Sequence, residues 1–272
     1  MAEIGRTELW VAQAGHELNG EFPVPTDEAL QIAWSDYLGH EEDVVAAPGV
    51  YGVVGLPAKP PRAYASIDLC EVLRQTGMAL RSVEEQPPKS VKEIECAHHY
   101  GEGLSIVNDT SVIQVLMNHD LVPPIEDIEE VVDIIREWRE SGVYTAANTS
   151  TLPGCELATV RFLGRYATGA FGGILFPRNH DGKSTLTKGV AARNVLHEFG
   201  GDDPATVVHI DDVTHHNINF RAAMQGPSGA QVATFQPRYP SCFPVDEGSV
   251  QTETPLEAFR QADEFLRQAL GS

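Results

Sequence analysis

Three short apolar runs in this sequence end in residues whose types could do chemistry. The first closes as Val107-Asn108-Asp109-Thr110-Ser111, the second as Ala147-Asn148-Thr149-Ser150, and the third as His209-Ile210-Asp211-Asp212. A lysine pair, Lys183 and Lys188, precedes the third run. If the runs are parallel strands, their ends converge on one crevice holding carboxylates, a hydroxyl or amide, and a lysine. Clustered carboxylates repel one another unless a cation stands between them. Mg²⁺ suits such a set, because it takes one or two carboxylates and keeps waters that a phosphate can replace. A lysine there holds the phosphate and damps the charge of a nucleophilic carboxylate.

The surrounding elements must put those ends together. Leu104–Asn108, Val143–Ala147, Phe171–Phe176, Thr206–Ile210 and Gln231–Phe235 read as strands, short and apolar. Between them lie helices. Ile125, Ile128, Val131, Val132, Ile135 and Trp138 repeat at helical spacing, with Pro124 near the start and Gly142 past the end. Further helices are expected at 153–166, 189–199, after Asp212 to about Met224, and at 255–270. Strands alternating with helices specify an α/β fold with a mostly parallel sheet. Ligands of such sheets lie beyond the carboxyl ends of the strands.

The order and spacing of these segments resemble the haloacid dehalogenase-like (HAD) hydrolase superfamily over about residues 104–235. The resemblance rests on Leu104–Ser111, Val143–Ser150, Lys188-Gly189, and Thr206–Asp212 followed by a helix carrying Asn217. It implies a Rossmannoid core and phosphoryl hydrolysis or transfer through an aspartyl-phosphate, and the short stretches from Asp109 to Asn148 and from Ser150 to Lys188 leave no room for a large inserted cap. By the resemblance, Asp109 is the nucleophile, Asn148 or Thr149 binds phosphoryl oxygens, and Lys188 stabilises the phospho-aspartate. Asp109, Asp211 and Asp212 hold Mg²⁺. The family's second aspartate, the acid/base two positions after the first, is replaced by Ser111. Losing such a group typically costs about 10²–10⁴-fold in rate. The second expectation is therefore a catalytically impaired HAD-like binding or scaffold protein.

Residues 1–103 read as a mixed N-terminal extension, a lid or a partner surface. Within it, Thr26 caps a helix to about Leu38, 49–56 is a short strand, and Ser66-Ile67-Asp68-Leu69 opens a second helix. Residues 236–272 form a C-terminal segment ending in a helix. The chain has 272 residues, 19 basic against 39 acidic, and a net charge of −20. That deficit is spread along the whole length and argues against nucleic acid as a general partner. The expected partner is a small phosphorylated molecule or a phosphoprotein. No membrane association is expected, and the expected location is the cytoplasm, since no window is apolar enough to span a bilayer.

Cys70, Cys96, Cys155 and Cys242 are widely separated and read as isolated thiols. Gly182-Lys183-Ser184 resembles the end of a P-loop. The glycine required five positions before Gly182 is Pro177, which has no N–H to offer a phosphate. His98-His99 and His215-His216 are adjacent pairs. Neighbouring residues do not share a helix face, so surface or capping roles are expected, with His215 the one nearest the acidic pair.

Overall fold

The computed structural model describes residues 24–39, 43–76, 122–151, 154–179, 185–199, 206–225, 230–238 and 244–271. In chain order the elements are α1 (Asp27–Leu38), β1 (Val44–Ala46), β2 (Tyr51–Gly55), β3 (Ala63–Ile67), α2 (Ile128–Glu140), β4 (Val143–Asn148) and α3 (Glu156–Tyr166). Then follow β5 (Gly173–Phe176), α4 (Lys188–Glu198), β6 (Thr206–Ile210), α5 (Thr214–Met224), β7 (Gln231–Pro237), β8 (Val250–Thr252) and α6 (Pro255–Leu270).

All eight strands form one sheet in the order β1-β2-β5-β4-β3-β6-β7-β8. The six strands from β3 onward run parallel to their neighbours, while β1 and β2 form an antiparallel hairpin laid on β5. The chain leaves β3 toward β4 and β5, then crosses back to β6 on the other side of β3. The reversal between β3 and β6 is the switch point at which open α/β sheets leave a crevice.

The strands at the centre are buried on both faces, as parallel sheets require. Alternate residues feed two cores. Ala65, Ile67, Val208 and Ile210 face α1, α2, α3 and α6 through Trp34, Ile135, Phe162 and Phe259. Tyr64 and Val207 face α4 and α5 through Val195, Phe220 and Met224. Among the described residues, no helix is long and apolar enough to cross a membrane.

One expectation is corrected. Ser66-Ile67-Asp68-Leu69 does not open a helix: Ser66 and Ile67 end β3, and Asp68 is the first residue beyond it. β3, from the first hundred residues, is hydrogen-bonded to both β4 and β6 at the centre of the sheet. The C-terminal segment also supplies a strand, β8, that periodicity does not reveal in three residues. The strand expected at 104–108 lies outside the described residues.

Candidate active site

Register explains how the site assembles. Ile67 of β3 is the partner of Ile210 of β6, so Asp68 and Asp211 leave adjacent strands at the same level. Asp68 N–H donates to Ile210 O at 2.9 Å, and Asp211 N–H donates to Phe235 O at 3.2 Å. Both side chains turn from the sheet edge into the switch-point crevice. Thr187 accepts from Val190 N–H at 3.2 Å and so fixes the start of α4. Lys188 is thereby its first residue and is buried. Its Nζ lies 2.9 Å from Asp68 Oδ1 and 2.5 Å from Asp211 Oδ2.

Asp211 is the hub of the cluster. Val213 N–H donates to its Oδ1 at 2.8 Å. His216 Nδ1 lies 3.3 Å from Oδ1 and 3.2 Å from Oδ2. His209 Nε2 approaches Oδ2 at 3.4 Å from within the sheet. The His209 ring is stacked on Phe220 at 4.0 Å, and its Nδ1 meets Ser66 Oγ at 3.1 Å. Two amides fix the main chain here: Asn217 Nδ2 donates to Asp211 O at 2.7 Å, and Gln236 Nε2 to Asp212 O at 2.9 Å.

Burial and charge divide the ionisations. Burial alone would lower the Lys188 ammonium, but Asp211 and Asp68 hold it well above its ordinary value, so it stays charged. Burial would raise the Asp211 carboxyl, yet Lys188 and then His216 hold it well below the usual range. Asp212 goes the other way: burial, followed by the charges of Asp211, Asp68 and Glu71, pushes it well above that range.

The turn after β3 completes the floor. Cys70 stands two residues past Asp68. The buried Arg74 donates to Cys70 Sγ at 3.4 Å and to Thr159 Oγ1 at 3.2 Å. Glu71 adopts φ +57°, the left-handed region that a non-glycine residue rarely occupies. Such outliers persist where the surroundings over-determine them, commonly at sites.

At the end of β4 the two residues expected to bind oxygens behave differently. Asn148 Nδ2 is committed to Ser66 Oγ at 3.1 Å and to Lys188 O at 3.0 Å, tying β4 to β3 and α4. Thr149 Oγ1 is buried and makes no hydrogen bond. Thr149 lines a cavity of about 440 Å³ with Arg178, Thr187, Lys188, His215 and His216. Arg178 is held there by an ion pair to the buried Glu156 and by the Tyr51 ring, 5.0 Å from its guanidinium carbon.

Of the residues expected from sequence, Lys188, Asp211 and Asp212 share the crevice, with Thr149 on the cavity and Asn148 behind it. Asp109, Ser111, Lys183 and Gly182-Lys183-Ser184 lie outside the described residues. Asp68, the carboxylate that does meet Lys188 and Asp211, went unread. The signal for it is a run of small and apolar residues, Ala63–Ile67, that follows the loop at Pro60-Pro61 and ends in an acid. His216 is the other miss: it turns onto Asp211 instead of outward.

The donor set fits a divalent cation. One ligand atom each from Asp68, Asp211 and His216 lie within 4.8 Å of one another.

No family model and no curated protein matches the chain. Among solved structures, it is similar to one assigned as a haloacid dehalogenase-like hydrolase from Burkholderia xenovorans, at 14% identity over 74% of this chain and 98% of that one, with TM-score 0.42. It is similar to a haloacid dehalogenase-like family hydrolase from Xanthomonas campestris at 12% identity, over 78% of this chain and 100% of that one, with TM-score 0.44. A structure assigned as a β-phosphoglucomutase from Bacteroides vulgatus shares 11% identity over 91% of this chain and 100% of that one, with TM-score 0.46.

Proposed function

We propose that the chain is a phosphohydrolase or phosphotransferase of haloacid dehalogenase type, with Asp68 in the nucleophile's place that the sequence suggested for Asp109. The observation that carries this reading is Lys188 Nζ lying between Asp68 and Asp211 at the ends of adjacent parallel strands. A lysine in that position orients a nucleophilic carboxylate, and its charge offsets what develops on a transferring phosphoryl group.

In this reading an Asp68 carboxylate oxygen forms the new bond to phosphorus while the ester P–O bond breaks. The leaving oxygen takes a proton from solvent or from the side chain two residues on. Water then attacks the aspartyl-phosphate and returns Asp68 to its carboxylate. Thr149 Oγ1, which makes no hydrogen bond inside the protein, donates to a phosphoryl oxygen. Asn148 holds the β4 end in place. A divalent cation held by Asp68 and Asp211, with Asp212 beside them, would neutralise phosphoryl charge when bound; Mg²⁺ is the ion the resemblance implies.

Cys70 occupies the place two residues past Asp68. A thiol is a weak hydrogen-bond donor and acceptor. Proton transfer from that position is therefore poor, and the aspartyl-phosphate persists. The same feature favours the second reading, a binding protein of this fold that turns over slowly or not at all.

The test is hydrolysis of an aryl phosphate with Mg²⁺ by the intact chain and by Asp68→Asn. The reading expects turnover that the substitution removes. Turnover undiminished in Asp68→Asn overturns Asp68 as nucleophile, and none in either protein favours the binding reading.

A further inference from the structure

We infer that His216 is a direct imidazole ligand of the divalent cation held by Asp68 and Asp211, and that this nitrogen donor biases the site toward Mn²⁺ and similar transition metals over Mg²⁺. The inference rests on the cation reading above and adds a ligand and a metal class to it.

Its geometry begins with helix α5. Asp211 and Asp212 are followed at once by Val213, whose N–H fixes Asp211 Oδ1 at 2.8 Å. The helix opens at Thr214, and His216 N–H donates back to Val213 O at 3.1 Å. The first turn thus carries the His216 ring back over the carboxylate, with Nδ1 3.3 and 3.2 Å from its two oxygens. Metal–donor bonds of about 2.0–2.2 Å put adjacent donors of an octahedral ion about 2.8–3.1 Å apart. The His216–Asp211 separations need to close by only a few tenths of an ångström, and Asp68 offers its oxygen within 4.8 Å of both.

Three features distinguish this ring from its neighbours. His216 lines the cavity and keeps 18% of its side chain exposed, so an ion reaches it from solvent. His209 is wholly buried, committed to Ser66 and stacked on Phe220. His215 also lines the cavity, but its ring meets His216 edge-on at 4.4 Å and is not part of the ligand group. Asp68, Asp211 and His216 together offer two oxygens and one nitrogen. Carboxylate and water suit both Mg²⁺ and Mn²⁺, and an added imidazole is a donor that first-row transition ions accept more readily than Mg²⁺ does.

The test uses the intact chain stripped of metal and titrated with Mn²⁺, read by electron spin-echo modulation from a coordinated imidazole nitrogen. Wild type and His215→Gln are expected to show the nitrogen modulation, and His216→Gln to lose it. In His216→Gln, Mn²⁺ affinity is expected to fall about tenfold or more, and Mg²⁺ affinity, read by competition, less than about threefold. Mn²⁺ binding without nitrogen modulation, or with modulation that survives in His216→Gln, overturns the ligand while leaving the cation reading intact. Failure of wild type to bind Mn²⁺ at all overturns both.

Discussion

Asp68 and Asp211 stand side by side because the residues before them, Ile67 and Ile210, are register partners in the two central strands. Everything else in the crevice is arranged around that pair. Lys188 bridges it, His216 closes it from the helix after β6, and both line the cavity that Thr149 also lines.

Removing the bridging ammonium should be costly. Lys188→Met leaves two buried carboxylates without their shared counter-ion, and breaking a buried pair this way typically costs about 3–5 kcal/mol. Urea denaturation of the variant should show a loss of that order together with loss of phosphatase turnover. A variant as stable as wild type would mean that the Asp68–Lys188–Asp211 bridge does not hold the crevice together.

Gly189 lets α4 lie against α5. A Cβ there would stand 2.7 Å from Ala223 Cβ and 2.8 Å from Phe220 Cα. Gly189→Ala should therefore push the helices apart and destabilise the fold by about 1–3 kcal/mol. Chemical denaturation measures it; an unchanged or raised midpoint would show that α4 shifts freely, and Lys188 with it.

Asp246 should set part of the acid limit of stability. Burial tends to raise its carboxyl. That is outweighed by hydrogen bonds from Arg221, Ser249 and Gly248, which hold it below its ordinary value. A depressed folded pKa stabilises above the unfolded value, near about 3.9, and the stabilisation is lost as pH falls through the folded value. Thermal midpoints should fall in that window, and the fall should be shallower in Asp246→Asn. Equal slopes in the two proteins would assign the acid limit elsewhere.

The two described cysteines should react at different rates. Burial pushes the Cys155 thiol up to about 11 against the opposing pull of Arg74. Cys70 is partly exposed beside the same guanidinium. At about pH 7.5, iodoacetamide should alkylate Cys70 well before Cys155, since the thiolate is the reactive form. Peptide mass spectrometry over time reads both; equal rates would show that Cys155 opens to solvent.

How much was legible in advance depended on local signals. Helix α6 begins at Pro255 and ends at Leu270 as its cap Thr254, its first-turn proline and Gly271 imply. The Thr26 cap likewise marks α1, and β6 shows in its run of branched residues. β3 was hidden. Ala63-Tyr64-Ala65-Ser66 lacks the branched residues that advertise a strand, and Ser66 beside Asp68 has the look of a helix cap. Small residues fit there because β3 is pressed between β4 and β6 with helices over both faces, a fact of the sheet and not of the segment. Without β3, the acid that meets Lys188 and Asp211 does not show in the sequence. His216 was hidden for a related reason: adjacent histidines look alike until the helix start fixes which one turns onto the carboxylate.

The central claim is that Asp68 accepts the phosphoryl group. With Cys70 two residues on, the acyl phosphate should last long enough to trap. The chain is incubated with an aryl phosphate and Mg²⁺, reduced with borohydride, and digested for peptide mass spectrometry. The account predicts homoserine in place of aspartate at residue 68. Homoserine at residue 109, or at no aspartate while substrate is consumed, would contradict it.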